Sequence, residues 1–113
     1  MADPQATAQI DDELIQEIVR RVLSVAQPDK IIMFGSAAAG EMTRDSDIDL
    51  LIVEAQPGDR RKESVEIGDA LRGMGFRFNV LVISAEWFKV SKNVIGRIAY
   101  PADKYGTVVY TAV

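Results

Sequence analysis

Asp47 and Asp49 stand two positions apart in Asp47–Val53, a run otherwise made of apolar residues. Successive side chains of a strand alternate faces, so both carboxylates point the same way if this run is extended. Two like charges on one face of an apolar strand repel each other and resist burial. Divalent cations between them remove the conflict. Paired ions ~3.5–4 Å apart stabilise both the attacking and the leaving oxygen of a phosphoryl displacement. Upstream, Lys30–Phe34 is a short β-type run that stops at Gly35-Ser36. A glycine there lets the backbone turn and approach a ligand closely. Backbone N–H groups at such a turn suit a phosphate, and the Ser36 hydroxyl can donate to a phosphate oxygen. Each signal alone has a plainer reading: an ordinary turn at Gly35-Ser36, and a surface alternation at Asp47 and Asp49 with Ile48 inward. Their occurrence on adjoining strands favours the phosphate chemistry.

Composition narrows the chemistry further. The 113 residues include no cysteine and no histidine, so disulfides, thiolate metal sites and imidazole bases are excluded. Any metal must be held by carboxylates and water, which favours Mg²⁺ or Mn²⁺. The net charge of −4 argues against nonspecific nucleic-acid binding, which needs clustered Lys and Arg. No apolar run approaches the ~18–20 residues of a membrane span. Met1 to Gln9 is polar and rich in small residues, reads as a disordered tail and lacks the pattern of a secretory signal, so a cytoplasmic location is expected.

These residues must be positioned by a small set of elements. Ile10, Leu14, Ile15, Ile18, Val19, Val22 and Leu23 recur at helical spacing, with acidic residues first and Arg20 and Arg21 last. Pro28 closes that segment. Ser36 to Gly40 reads as a loop with one helical turn, and Glu41 to Ser46 as a loop. After a turn at Gln56–Asp59, the spacing predicts a helix over Arg60–Met74 with Val65, Leu71 and Met74 inward and Gly75 as its C-terminal cap. Phe76–Ile83 alternates as a third strand. Ser84 caps a short helix holding Trp87 and Phe88, both read as core, with adenine stacking as the alternative. Asn93–Tyr100 suits another helix, and Gly106–Tyr110 either a fourth strand or an extended tail. The expectation is one α/β domain of the α+β type over residues 10–113, with helices packed on a small mixed sheet. Which strands run parallel is left open by the pattern.

Gly35-Ser36, ten intervening residues and Asp47-Ile48-Asp49 together resemble the signature of the DNA polymerase beta-like nucleotidyltransferase superfamily. Phe34 to Val53 is similar to its minimal nucleotidyltransferase (MNT) group, and the likeness extends from the first helix to Gly106–Tyr110. The resemblance implies a nucleotidyltransferase fold with Asp47 and Asp49 as catalytic Mg²⁺ ligands. Gly35, Ser36, Arg44 and Ser46 would line the nucleotide triphosphate, with ATP as substrate. It further implies transfer of AMP to a hydroxyl. In this group the partner is often a small helical HEPN protein, and the pair forms a toxin–antitoxin system.

Two departures matter. The family's third carboxylate opens a hydrophobic strand, and the matching stretch Phe78-Asn79-Val80-Leu81-Val82 has Asn79 in its place. An amide offers a neutral carbonyl oxygen and cannot accept the acceptor's proton. The basic residues often found after Gly-Ser in the group are replaced by Ala37, Ala38 and Ala39, leaving Arg44 either as a phosphate contact or as a solvated loop cation. Arg60-Arg61-Lys62 reads as a solvated helix start, with a docking patch as the alternative. Glu54 reads as an exposed strand end or a group behind the site. Two functions follow. One is an enzyme transferring AMP to a partner protein, the acceptor expected because the chain has no room for the extra domain that holds small acceptors. The other is a silent binding module in which Asn79 has abolished transfer. Homo-oligomers are compatible with both. A P-loop NTPase is excluded, because no Gly-x₄-Gly-Lys-Ser/Thr element exists.

Overall fold

The structure is a computed structural model that describes residues 12–34, 47–91 and 106–112. Helix α1 spans Asp12–Leu23, strand β1 Lys30–Phe34 and strand β2 Asp47–Glu54. Helix α2 spans Arg60–Ala70, strand β3 Arg77–Ser84, helix α3 Ala85–Ser91 and strand β4 Thr107–Thr111. The strands form one mixed sheet in the order β3-β2-β1-β4. β1 pairs antiparallel with both β2 and β4, whereas β2 and β3 run parallel. Gly106–Tyr110 thus belongs largely to a fourth strand rather than a tail. The segments 1–11, 35–46 and 92–105 lie outside the described residues, and with them the N-terminal tail and the helix expected over Asn93–Tyr100.

The period of two in β2 sorts its side chains between two cores. Ile48, Leu50 and Ile52 pack with Ile31, Met33 and Val82 of the sheet against Ile18 and Val22 of α1 and Ile67 and Leu71 at α2. Leu51 and Val53 face the other way, toward Ile32, Ile83 and Phe88 of α3. Lys30 Nζ lies 5.6 Å from the centre of the Phe88 ring, a cation–π contact at the edge of this second core. Alternation puts Asp47 and Asp49 on the face of Leu51 and Val53. α3 covers the Leu51–Val53 half of that face, which leaves the aspartate half uncovered among the described residues.

The helices start and stop for identifiable reasons. Asp59 caps α2 by accepting from the Lys62 N–H at 3.2 Å, and Ser84 Oγ accepts from the Trp87 N–H at 3.0 Å, as expected of Ser84. α2 ends four residues before Met74. Leu71 is its cap, and Gly73 and Gly75 follow with φ of 84° and 89°, so the left-handed turns that only glycine adopts freely come after the helix rather than closing a longer one. Arg21 of α1 donates to the carbonyls of Ala70 and Arg72 at 3.3 and 2.8 Å, satisfying acceptors the end of α2 leaves open. Leu71 is buried as expected and Met74 is half-buried against the core. Val65 is 58% exposed and Trp87 37% exposed, so neither is a core residue. Both lie beside the outer edge of β3 rather than in the core, and helical spacing alone does not reveal which apolar residue is buried.

Candidate active site

The parallel register of β2 and β3 assembles the site. It aligns Asp47 with Arg77 and Asp49 with Asn79, so all four side chains share one face of the sheet. Asn79 lies between the two carboxylates: its Nδ2 donates to Asp47 Oδ2 at 3.1 Å and to Asp49 Oδ1 at 3.0 Å. The two hydrogens of one amide nitrogen are thereby shared between two acceptor-only groups. Arg77 Nε lies 3.0 Å from Asp47 Oδ1, within ion-pair distance. That oxygen is buried and lacks a directed hydrogen bond among the described residues. A cleft of about 480 Å³ opens here, lined by Asp49 and Asn79 with Phe34, Phe78 and Leu81 among its walls.

The spacing of Asp47 and Asp49, and the placement of Asn79 opposite them, match the sequence reading. Gly35, Ser36, Arg44 and Ser46 lie outside the described residues. Gly35 directly follows Phe34, whose Cα is paired with Asp49. Arg77 was missed by sequence reasoning. Its signal was present: it stands two residues before Asn79, hence on the same strand face. Glu54 departs from its expected exposure. It is 5% exposed and closes the other end of β2, seven residues from Asp47, a distance of ~23 Å at the usual strand rise. It is too distant to act as the missing base. Burial, the neighbouring Glu63 carboxylate of α2 and the nearby Asp29 push its carboxyl up to about 7. Glu63 Oε2 is itself buried and without a hydrogen-bond donor among the described residues.

The donor set suits a hard cation. Two carboxylates on one face, one with a buried oxygen lacking a directed donor, fit Mg²⁺, which typically takes one or two carboxylates and completes its shell with water and phosphate. Among the described residues no group of three or more His, Cys, Asp or Glu is placed to hold a metal.

Fold and site together define a nucleotidyltransferase-type sheet with paired aspartates. Residues 12–100 match the nucleotidyltransferase domain family, and the chain belongs to it. Among solved structures, the fold is similar to a chain of a crystal structure of a toxin–antitoxin with AMP-PNP. That likeness has a TM-score of 0.59 and 17% identity, over 86% of this chain and 73% of the other. A comparison with curated proteins found no match. Among the described residues no helix is long and apolar enough to cross a membrane.

Proposed function

We propose that this domain transfers AMP from ATP to a hydroxyl of a partner protein, as the antitoxin of a toxin–antitoxin pair whose toxin is a small HEPN-type helical protein. The observation that carries the reading is the β2–β3 register, which aligns Asp49 with Asn79 at one cleft and sets Asp47 beside them on the same face of the sheet. Asp47 and Asp49 hold Mg²⁺, which supplies charge neutralisation for the triphosphate. Gly35, Ser36, Arg44 and Ser46 line the nucleotide. The acceptor oxygen attacks the α-phosphorus, the bond to the β-phosphate bridge breaks, and pyrophosphate leaves. Asn79 cannot take the acceptor's proton, which passes to Asp49 or to solvent. The likeness to a toxin–antitoxin bound to AMP-PNP supports both the nucleotide and the partner.

A second reading is favoured by the Asn79 bridge. With Nδ2 donating to both aspartates, Asn79 occupies the space where a cation is needed. The domain then acts by binding its partner rather than by modifying it.

Co-expression with the protein encoded beside it, followed by intact-mass measurement, separates these readings. Enzymatic transfer adds one AMP to the partner in the presence of ATP and Mg²⁺; the silent module gives a complex without the adduct. Absence of any complex refutes both. In parallel, ATP with Mn²⁺ at tenfold above its Kd should stabilise the wild type by ~1.4 kcal/mol through mass action. The Asp47→Asn/Asp49→Asn variant should show no such rise in melting temperature. An equal rise in both proteins places the nucleotide elsewhere.

A further inference from the structure

The sheet ends at β3, and among the described residues no strand pairs with its outer side. Along that side runs a groove of about 810 Å³, floored by Leu81, Val82 and Ile83 and walled by Val65 of α2 and Trp87 of α3. Val65, Leu81 and Trp87 are 58%, 39% and 37% exposed, which is unusual for a continuous apolar strip. One end of the groove is basic: Arg60 and Arg61 line it, and the nearby acid, Asp59, is engaged in capping α2.

We infer that this groove receives an extended, acidic segment of the partner protein, which adds a strand to β3 and sets its carboxylates against Arg60 and Arg61. The inference rests on the partner reading above and names the surface the partner uses. Three features select this occupant. In a parallel pair, alternate residues of β3 turn their N–H and C=O away from β2, so the groove floor presents backbone donors and acceptors. A docked helix satisfies its own backbone and would shut water from those groups without replacing it, at a cost for each. An added strand satisfies them. Within β3 no proline or lysine guards the edge, and its only charged residue, Arg77, is at the end away from the groove. Finally, the arginines ask for acidic residues, and a second copy of this chain does not supply them here. Antiparallel pairing of two β3 strands about Val82 lays the second copy's Arg77–Ser84 in the groove, and that strand carries no acidic residue to set against Arg60 and Arg61.

The test uses the full chain and the protein encoded beside it. Binding is measured by calorimetry for the wild type, Arg60→Glu/Arg61→Glu and Val65→Lys. Acidic residues at the start of α2 favour the helix, so the charge reversal leaves the fold intact. Amide hydrogen exchange is followed with and without the partner. Expected are about tenfold weaker binding on charge reversal, weaker binding for Val65→Lys, and partner-dependent protection confined to the outward amides of Leu81–Ile83. If the wild type binds the partner while both variants bind equally well and these amides gain no protection, the groove is not the docking site and the partner reading stands. If protection appears with increasing concentration of this chain alone, the occupant is a second copy and the inference is overturned. If the wild type binds no partner, the partner reading fails and the inference falls with it.

Discussion

Replacing Asn79 with Asp should raise AMP transfer to the partner by about 10²–10⁴-fold, the usual contribution of a general base. The effect has two sources in the geometry. Asn79 Nδ2 donates to both Asp47 and Asp49, so a cation approaching the pair must displace that amide or wait for it to turn its oxygen inward. A carboxylate at the same position has no hydrogens to withdraw and adds a third negative ligand. It also gives the acceptor hydroxyl a group able to take its proton. Transfer of this kind depends mainly on positioning and charge neutralisation, so restoring one ligand acts on the rate-determining chemistry. The gain should vanish in Asn79→Asp/Asp49→Ala. Mn²⁺ affinity, measured by calorimetry, should rise with Asn79→Asp even without partner. A wild type that transfers AMP as fast as Asn79→Asp would show that position 79 does not limit the reaction.

Glu54→Gln should stabilise the domain at pH 8 and flatten its stability between pH 5 and 8. Glu54 titrates at about 7 in the folded chain against 4.5 for a free glutamate, because burial and Glu63 disfavour its charge. The raised value fixes the sign. Below pH 4.5 folded and unfolded states both carry the proton, and the stabilising contribution is complete. From there to pH 7 the unfolded chain releases a proton that the folded chain keeps, so stability falls as pH rises; above 7 the loss is complete. At ~1.4 kcal/mol per unit, the loss is on the order of 3 kcal/mol. The chain has no histidine to obscure this window, and Glu17, held at about 2 chiefly by its hydrogen bonds to Arg20 and Arg21, titrates far below it. A glutamine keeps a donor facing Glu63 at every pH. Melting temperatures of both proteins from pH 5 to 8 check this. A wild-type profile as flat as that of Glu54→Gln would mean Glu54 ionises normally.

The contrast between Asp49 and Glu54 shows what the sequence could reveal. Asp47 and Asp49 were legible because strand alternation is local, and the chemistry of two carboxylates on one face is independent of the rest of the fold. The position of Asn79 was legible through the family pattern, but its bridging hydrogen bonds depend on the register of two strands 30 residues apart. Glu54 ends the same strand and looked like an exposed terminus. Its raised carboxyl comes from burial together with Glu63 of α2 and Asp29 before β1, neither adjacent to it in sequence. Val65 shows the same limit: an apolar residue at a helical position fits a core pattern, and only the placement of α2 on the sheet decides that it faces outward. The directions of the strands were also beyond local pattern, since a parallel β2–β3 pair and an antiparallel β1–β2 pair read alike residue by residue.

The pairing of β1 with β4 bears on how the domain acquires its shape during synthesis. β1 meets β2 after a short stretch of chain, but its other neighbour, Thr107–Thr111, is made after the other three strands of the sheet, and Lys30 pairs with Thr111. Contacts so distant in sequence impose a large loop-closure cost before they bring any gain, which slows folding. Until β4 leaves the ribosome, Ile31 and Ile32 lie along an open edge of the sheet, next to the aspartate strand. The nascent chain is therefore prone to association through β1 while the aspartates are already in place, and docking of the final strand ends that exposure.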